Sequence, residues 1–412
     1  MKIRVGVFFG GESVEHEVSV ISANQAMAAI DTERYEVVPV YITKNREWYT
    51  GAVLSDVANY KDEKQLLAQA TRVNLIQDGG KYYLYAYPFK AFRNKPVAEL
   101  DIAFPVIHGT NGEDGSLQGY FEMLGLPYVG CNVGAAAVGQ DKIYMKNILR
   151  DAGIPITDFV WFYTNRWYTQ QEAMIEMVES QVGYPVIVKP ANLGSSVGIS
   201  LAKNRDELID AIEEACQYDD KVLVEAIVAN LVEMNCSVLG DFEAAQPSVL
   251  EEVMGSDEFL SYKDKYQGGS SSSKGAKTGS KTTGTGSKSQ GMASTNRIIP
   301  ARIRDEETQT IQTLAVETFQ VLNSSGVARI DFLMDGETRA IYVNEINTIP
   351  GSLAFYLWQH TGMDFTELTN NLLALALKRE RRRQNKTFSY ETNLLANYTS
   401  TAGTKGSKGV KQ

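Results

Sequence analysis

Four polar residues near the carboxyl end of the chain are spaced so that they could act together on a substrate. Two runs rich in apolar and β-branched side chains, at residues 327–333 and 340–346, flank a short polar segment, which predicts a β-hairpin. Because side chains alternate faces along a strand, a turn centred near Thr338 would place all four on one face. The opposed pairs would be Asp331 with Glu345 and Arg329 with Asn347.

Two carboxylates held face to face repel each other unless a cation lies between them. Carboxylate and amide oxygens suit Mg2+ or Mn2+, and Mg2+ usually completes its shell with phosphate oxygens and water. The hairpin therefore predicts nucleotide-dependent phosphoryl chemistry, although a solvated hairpin face with a surface Arg–Asp pair has the same pattern. The Pro350 and Gly351 that follow favour the functional interpretation, because glycine lets backbone N–H groups approach a ligand closely.

The first residues predict the start of a doubly wound parallel sheet. Residues 3–9 form an apolar run typical of a strand buried on both faces, and a glycine turn leads to a helix predicted over residues 13–30 with Ser13 as its N-cap. A strand at residues 35–42 completes a β-α-β unit. Glu15 falls in the first turn of the helix, where it could either complement the helix dipole or bind a ligand.

A further buried strand, at residues 101–107, runs into a glycine-rich loop at residues 108–115. Ligands of open α/β sheets gather at the carboxyl ends of the strands, so this loop is a candidate binding segment. Its first residue, His108, could be structural or could touch substrate. The character of the sequence changes at residues 140–142, where an amphipathic helix begins and a domain boundary is predicted.

Residues 170–227 alternate helices and strands with short connections, as in a small α/β domain. One strand ends at Lys189, and the small residues of the following loop could cradle phosphates with their backbone N–H groups. This loop lacks the spacing of a P-loop, and an ordinary hairpin turn has the same composition. Glu225 and Glu233 lie in and after the next strand, where they are surface carboxylates unless a nucleotide lies nearby.

Two segments are predicted to be mobile. Residues 267–295 consist almost entirely of small and polar residues, and the tail at residues 387–412 is rich in Gly, Lys and Thr. A segment with few apolar side chains cannot offset the entropy of ordering. The internal segment could be a linker or a lid over an active site, since a cluster of aromatic residues and lysines at residues 259–266 precedes it.

Length and composition limit the class of protein. A chain of 412 residues predicts two or three domains, and its hydrophobic content of 43% is that of a globular protein. The net charge of −10 argues against general nucleic-acid binding. No apolar run approaches the length of a membrane span, the amino terminus does not resemble a signal peptide, and the three cysteines have no metal or disulfide spacing. We therefore expect a cytoplasmic protein without nucleic-acid or membrane partners.

Taken together, the motifs resemble those of the D-alanine–D-alanine ligases of the ATP-grasp superfamily, in the family's order, over residues 1–375. The matching segments are FGG at 9–11, SVEHEVS at 13–19, HG at 108–109, GEDGSLQG at 112–119, DK at 141–142, VKP at 188–190, GSSVG at 194–198, KY at 265–266, RID at 329–331, NEINT at 344–348 and PG at 350–351. Each motif is weak singly, and the specificity lies in their joint order.

The resemblance implies an α/β fold with an α+β carboxyl-terminal part, in the three-domain ATP-grasp architecture that begins with the doubly wound domain. Residues 1–140 would bind the first substrate, residues 141–230 would form the central ATP-grasp subdomain, and residues 231–412 would form the carboxyl-terminal ATP-grasp and metal domain. The resemblance also implies a homodimer, because the family is commonly dimeric.

The same resemblance gives roles to individual residues. ATP would be bound by Lys142, Lys189, Ser196, Glu225, Val228, Glu233, Phe259 and Lys265. Two Mg2+ or Mn2+ ions would be held by Asp331, Glu345 and Asn347. The catalytic residues would be Glu15, which holds the ammonium of the first D-alanine, Ser195 and Tyr266, which complete a hydrogen-bonded set with it, and Arg329 and Gly351, which stabilise the oxyanion.

By resemblance, the protein is an ATP-dependent ligase that joins two D-alanine molecules through an acyl phosphate, for peptidoglycan precursor synthesis. One departure concerns the second substrate: the family grips its carboxylate with a Ser–Leu pair, and this chain has Tyr356 and Leu357 there. Ser352 and His108 are further candidate substrate residues. The alternatives are a ligase for another acceptor, such as D-serine or D-lactate, and a non-catalytic nucleotide-binding regulator. A regulator has no need of the metal and oxyanion residues, which argues against it.

Overall fold

The computed structural model describes residues 2–89, 95–194, 197–254, 297–390 and 392–393. In these ranges the chain forms a mixed α/β fold in which three sheets follow one another along the sequence. Helices pack against the sheets. The predicted site residues near the carboxyl end lie in the third sheet and in the turn directly after it.

The first sheet contains both parallel and antiparallel strands. Its strands are β1 (Ile3–Gly10), β2 (Tyr35–Ile42), β3 (Trp48–Thr50), β4 (Thr71–Asp78), β5 (Lys81–Ala86), β6 (Pro96–Leu100) and β7 (Ile102–Val106), in the order β6-β5-β4-β3-β2-β1-β7. β1 pairs in parallel with both β2 and β7, which confirms the predicted parallel unit. Strands β3 to β6 extend the sheet in antiparallel pairs. The connections from β2 to β3 and from β4 to β5 are too short for a crossover helix.

The helices of this first part are short, apart from the one that follows β1. They are α1 (His16–Ala29), α2 (Glu63–Gln69), α3 (Ser116–Leu124) and α4 (Val133–Gln140), with 3-10 turns at Ala52–Ser55 and Val57–Lys61. Helix α1 has Glu15 as its N-cap, so the prediction that Ser13 caps it is wrong. The Ser13 hydroxyl accepts a hydrogen bond from the Glu15 N–H at 3.1 Å and closes a local turn before the helix instead.

The second sheet is small and antiparallel throughout. Its strands are β8 (Phe159–Tyr163), β9 (Val186–Pro190), β10 (Ser200–Ala202) and β11 (Lys221–Ala226), in the order β10-β9-β11-β8. Helices α6 (Thr164–Thr169), α7 (Gln171–Gln181) and α8 (Arg205–Ala215) cover it. Apolar residues of these helices and of the strands form one buried core, which holds the ends of β9 and β11 in place.

The third sheet carries the predicted hairpin. Its strands are β12 (Leu231–Gly240), β13 (Ala245–Val253), β14 (Arg297–Ile298), β15 (Gly326–Asp335) and β16 (Ile341–Asn347), in the order β14-β13-β12-β15-β16. The remaining helices are α5 (Lys142–Asp151), α9 (Asp305–Val321), α10 (Phe355–Thr361) and α11 (Phe365–Gln384), with a 3-10 turn at Gly351–Ala354. Met145 and Leu149 of α5 are buried in the core of this sheet, together with Phe319 of α9.

The carboxyl-terminal helices join the third sheet to the first. Trp358 of α10 and Leu372 of α11 are buried in the same apolar cluster as Val5 and Phe104, which lie on β1 and β7. Val327, on β15, belongs to this cluster as well. The packing therefore brings the end of the predicted hairpin next to the loops that follow β1 and β7, which is where the candidate site lies.

Candidate active site

The hairpin forms with the register that the sequence predicts. Arg329 pairs with Asn347, and Asp331 pairs with Glu345. The Arg329 guanidinium makes two hydrogen bonds to the Asp331 carboxylate, from Nε to Oδ1 at 2.6 Å and from Nη2 to Oδ2 at 2.7 Å. The Asn347 side-chain amide donates to Asp331 Oδ2 at 3.0 Å. The predicted patch of two carboxylates, an amide and a guanidinium is therefore confirmed.

Burial and neighbouring carboxylates both disfavour the negative charge of Asp331. Burial raises the pKa of Asp331, and the carboxylates of Glu345 and Glu251 raise it further, although Arg329 opposes them. Burial by itself lowers the pKa of Arg329, but the charge and hydrogen bonds of Asp331 outweigh it and raise that pKa well above its ordinary value. A divalent cation between Asp331 and Glu345 would offset the repulsion.

The donor set is consistent with Mg2+ or Mn2+ in its chemistry. The described residues contain no group of three or more His, Cys, Asp and Glu side chains that could enclose a metal ion. Mg2+, however, is usually bound by one or two carboxylates and completes its shell with phosphate oxygens and water. Asp331 and Glu345, with the amide of Asn347, are such a partial set.

Two lysines lie next to the patch, one at the start of α5 and one on β9. Lys142 Nζ is 3.4 Å from Glu345 Oε2, and it donates to the Leu193 carbonyl at 2.8 Å. Lys189 Nζ is paired with Glu225 and lies 3.5 Å from Asn344 Oδ1. The two lysines that were predicted to bind phosphate therefore reach the hairpin from α5 and from the second sheet.

Glu225 holds a lysine on each side. Its Oε2 is 2.9 Å from Lys146 Nζ, which also donates to the Thr157 hydroxyl at 3.0 Å, and its Oε1 is paired with Lys189. Burial raises the pKa of Glu225, but the two lysines outweigh it and bring that pKa down to about 2. Burial lowers the pKa of Lys146 despite the attraction of Glu225. The resemblance assigns Glu225 to ATP binding, and in the structure its carboxylate pairs with the two lysines.

Replacing Lys146 by Met should destabilise the protein, because Glu225 would stay buried with only Lys189 as a cationic partner. Breaking a buried ion pair in this way costs about 3–5 kcal/mol. The stabilisation by Glu225 is present above its ordinary pKa of 4.5 and is lost as the pH falls towards 2. Urea unfolding at pH 7 measures the loss, and Lys203→Met, at an exposed lysine, is the control. Equal stability of the two variants would show that the contact between Lys146 and Glu225 does not stabilise the fold.

Glu15 lies between two glycine-containing loops. A Cβ built on Gly109 would lie 2.8 Å from Glu15 Oε2, and a Cβ built on Gly194 would lie 3.1 Å from the same oxygen. A side chain at position 109 would therefore force the carboxylate to shift, and one at position 194 would press closely against it. The loop after β7 and the loop after β9 meet at Glu15, so this side chain joins the first sheet to the second.

Buried polar contacts fix the segment after β16 from the side of the first sheet. His108 Nδ1 donates to the Ile349 carbonyl at 2.7 Å, and His108 Nε2 accepts from the Ser22 hydroxyl at 2.8 Å. The Ser22 oxygen in turn accepts from the Ser352 N–H at 2.9 Å. Burial lowers the pKa of His108, which keeps the ring neutral and compatible with these bonds. His108 therefore holds the Gly351 segment in place.

Glu113 adds a second connection to the same segment. Its two carboxylate oxygens accept hydrogen bonds from the Gly109 N–H at 2.9 Å and from the Ile349 N–H at 2.7 Å. Burial, with the nearby charge of Glu15, raises the pKa of Glu113 to about 7. Glu113 and His108 together attach both backbone polar groups of Ile349 to the loop that follows β7.

The residues after Gly351 have an unusual backbone. Ser352, Leu353 and Ala354 have φ angles of 52°, 55° and 51°, in the left-handed region. This conformation costs residues other than glycine roughly 1–2 kcal/mol each. All three are buried, and the Ser22 bond described above holds the first of them. Strained backbone of this kind persists where the surroundings over-determine it, often at functional sites, and here it directly follows Gly351.

A polar cluster that the sequence did not reveal lies beyond Arg329. Glu251 Oε1 is 3.1 Å from Arg297 Nη1, and Glu251 Oε2 accepts from the Tyr356 hydroxyl at 3.0 Å and from the Asn235 amide at 3.2 Å. The Arg297 guanidinium lies over the Tyr356 ring, 4.8 Å from its centre. Burial and Glu251 raise the pKa of Tyr356 to about 12, although Arg329 and Arg297 oppose them.

One cavity of about 200 Å3 collects these groups. Among the predicted site residues, its lining includes Glu15, His108, Glu233, Arg329, Asp331, Glu345, Asn347, Gly351 and Tyr356. Lys142 and Lys189 reach Glu345 and Asn344 at its edge. Among the predicted residues that the structure describes, Val228, Ser352 and Leu357 do not line this cavity. Leu357 is fully buried, and Val228 lies just after the end of β11. The predicted residues Ser195, Ser196, Phe259, Lys265 and Tyr266, and the segment 267–295, lie outside the described residues.

The sequence did not identify five polar residues of the cavity lining. They are Glu113, Asn235, Glu251, Arg297 and Asn344. Glu113 lies in the glycine-rich loop at residues 108–115, and the position of a carboxylate in this candidate binding segment is the signal that identifies it. Glu251 and Arg297 lie on strands without a motif, and only the pairing of β13 with β14 brings them to the cavity wall.

No helix within the described ranges is both long and apolar enough to cross a membrane.

The comparisons with known proteins give a family. A family model for the D-Ala D-Ala ligase N-terminus matches residues 4–131, and one for the D-Ala D-Ala ligase C-terminus matches residues 148–284 and 286–374.

Individual relatives agree with these models. The D-alanine–D-alanine ligase of Thermosipho melanesiensis is 38% identical over 396 residues, covering 95% of this chain and 98% of the relative. The structure of the D-alanine–D-alanine ligase from Coxiella burnetii superposes with a TM-score of 0.74 at 28% identity, covering 93% of this chain and 96% of the other. The VanG D-Ala:D-Ser ligase from Enterococcus faecalis superposes with a TM-score of 0.73 at 29% identity, covering 91% and 100%.

Proposed function

The chain belongs to the D-alanine–D-alanine ligase family, and from this membership we propose that it joins two D-alanine molecules through an acyl phosphate while ATP is converted to ADP and phosphate. The observation that carries the proposal is the patch of Arg329, Asp331, Glu345 and Asn347, with one lysine from α5 and one from β9 at its edge. Such a patch positions and neutralises phosphates next to a carboxylate substrate.

In the first step the carboxylate of one D-alanine attacks the γ-phosphate of ATP. Glu15 binds the ammonium of this D-alanine, since its carboxylate lies in the cavity between the loops at Gly109 and Gly194. Lys142 and Lys189 bind the phosphates and stabilise the charge that moves onto ADP. When ATP binds, Lys189 would exchange part of its contact with Glu225 for a phosphate oxygen.

The metal residues have a separate task. Asp331, Glu345 and Asn347 would hold two Mg2+ or Mn2+ ions, which supply neutralisation of the phosphate charge when bound. Arg329 keeps Asp331 oriented through its two hydrogen bonds, so the ligand set is organised before a metal ion arrives.

In the second step the amine of another D-alanine attacks the acyl carbon, and phosphate leaves. The oxygen of the tetrahedral intermediate carries a negative charge, which Arg329 and the Gly351 N–H would stabilise. Both residues line the cavity, which supports this part of the proposal. Glu113 and His108 act as positioning residues, because they fix the Ile349 backbone two residues before Gly351. The proposal also gives Ser195 and Tyr266 to a hydrogen-bonded set with Glu15, and Ser196, Phe259 and Lys265 to ATP.

ADP release with pairs of amino acids tests the function. We expect ADP release to depend on D-alanine, and a single dipeptide, D-alanyl-D-alanine, to accumulate in equal amount. D-serine, D-lactate and L-amino acids, offered as acceptor with D-alanine as donor, serve as comparisons. Faster turnover with D-serine or D-lactate would replace the proposal with the alternative ligase, which the likeness to the VanG D-Ala:D-Ser ligase keeps in view. ADP release independent of any amino acid would refute both.

Family membership supports three further proposals for which the site gives no evidence. We propose that the protein is a homodimer, that it acts in the cytoplasm, and that its product is used in peptidoglycan precursor synthesis. Sedimentation equilibrium of the purified protein at micromolar concentration would separate a monomer from a dimer.

A further inference from the structure

The cavity wall formed by Asn235, Glu251, Arg297 and Tyr356, here called the β13–β14 wall, has no part in the steps above. Its four residues come from β12, β13, β14 and the start of α10. Glu251 connects the other three, since its carboxylate contacts Arg297, Tyr356 and Asn235 within 3.2 Å. A wall organised around a buried carboxylate, with a guanidinium at the cavity, is a built polar surface and calls for a polar ligand group.

The position of the wall relates it to the second substrate. Tyr356 follows Gly351 by five residues and lines the cavity together with Arg329, and Asn235 pairs with Asp331 across β12 and β15. Gly351 and Arg329 are the groups given to the oxyanion, where the acceptor amine attacks. Glu15, given to the first D-alanine, instead contacts the loops at Gly109 and Gly194. The β13–β14 wall therefore lies on the oxyanion side of the cavity.

An acceptor amino acid brings a carboxylate, which needs a cationic or hydrogen-bonding partner when it is desolvated. The Tyr356 hydroxyl has one proton, and it donates that proton to Glu251. The guanidinium of Arg329 makes two hydrogen bonds to Asp331, and the proposed reaction uses it for the oxyanion. Arg297 lines the same cavity, and its planar guanidinium matches the two oxygens of a carboxylate.

We propose that Arg297 binds the carboxylate of the acceptor D-amino acid, with Glu251 and the Tyr356 ring as the groups that position its guanidinium. This inference rests on the proposed function, because it gives the acceptor of that reaction its binding group. Glu251 keeps the guanidinium at the wall through the 3.1 Å contact, and the ring supports its face at 4.8 Å. The Arg297 side chain is 19% exposed, so a bound carboxylate would be largely shielded from water.

The test compares acceptors with and without a carboxylate. D-alanine and D-alaninamide are offered as acceptors, with D-alanine as donor, and kcat/KM for each acceptor is determined from dipeptide and dipeptide-amide formation. We expect Arg297→Gln to lower the preference for D-alanine over D-alaninamide by about 10- to 100-fold, the effect of one charge-assisted hydrogen-bonded contact. The KM values of ATP and of the donor should stay close to those of the unmodified protein. Arg297→Lys should retain part of the preference.

Arg302→Gln is the matched control. Arg302 follows five residues later, pairs with Glu252 at 3.4 Å, and has a side chain that is 61% exposed, outside the cavity lining. This variant should keep the full preference. An unchanged preference in Arg297→Gln, or an increase in the KM of ATP in place of the acceptor effect, would overturn the proposal.

A binding measurement covers the case in which Arg297→Gln has too little activity to assay. Calorimetric titration of the folded variant with D-alanyl-D-alanine and with its amide, in the presence of ADP, needs no turnover. We expect the dipeptide to bind about 10- to 100-fold more weakly than to the unmodified protein, and the amide to bind equally to both. Equal loss for the two ligands would show a merely structural role for Arg297. A failure to form D-alanyl-D-alanine by the unmodified protein would instead refute the proposed function.

Discussion

Replacing Glu345 by Gln is expected to abolish ligation while leaving the fold intact. Glu345 faces Asp331 across the hairpin, and its side chain is partly exposed in the cavity, so the substitution removes a charge without opening a hole in the core. A divalent ion that neutralises the transferring phosphate lowers the activation free energy by several kcal/mol. Because the substitution removes one of the ion's ligands, we expect kcat to fall by a factor on the order of 10³. Substrate-dependent ADP release at saturating Mg2+ measures this loss.

Glu345 is a cleaner probe of the metal residues than Asp331. Asp331→Asn would also remove the charged partner of Arg329, whose side chain is only 17% exposed, and leaving a largely buried charge without its partner costs several kcal/mol of stability by itself. Glu337→Gln, in the exposed turn of the same hairpin, is the control for a glutamate-to-glutamine change and should retain normal kcat. If Glu345→Gln released ADP at the normal rate, this carboxylate would have no part in metal binding.

The second large effect is expected for Arg329→Lys, which keeps the positive charge and removes the guanidinium fork. A lysine cannot make the paired bonds to both oxygens of Asp331, and its single ammonium would not lie where the fork now meets the cavity. Loss of one oxyanion-stabilising group typically lowers kcat by about 10²- to 10³-fold. We expect this decrease in kcat with little change in the KM of ATP, because the fork acts on the developing charge.

The hairpin itself provides the control for this substitution. Arg339 makes the same kind of paired bonds, to the two oxygens of Glu307 at 2.7 Å each, at the other end of the hairpin. Arg339→Lys should lower stability by about 1 kcal/mol and leave kcat unchanged. Equal effects of the two substitutions on kcat would show that Arg329 acts through the stability of the hairpin, and the oxyanion role would be withdrawn.

The sequence by itself determined the features that local periodicity encodes. The pairing of Asp331 with Glu345 followed from the two-residue repeat of a strand and the position of one polar turn, because a slip of one residue would have moved the polar set to the other face. The parallel pairing of β1 with β2 followed from the apolar runs and the helix between them. The order of the motifs gave the family, which the family models then confirmed. The start of α1 was predicted wrongly, because Ser13 bonds in a local turn before the helix.

Only the tertiary structure decided how the segments meet. His108, Glu113 and Ser22 hold a backbone segment that lies more than 200 positions away in the chain, and nothing local to either partner specifies the contact. Arg297 reaches the cavity because β14 pairs with β13, and Glu251 becomes its partner through that pairing. A periodic pattern shows which face of an element is buried, but the neighbour that a polar group meets there depends on how whole sheets pack, and one hydrogen bond contributes too little to leave a pattern in the sequence.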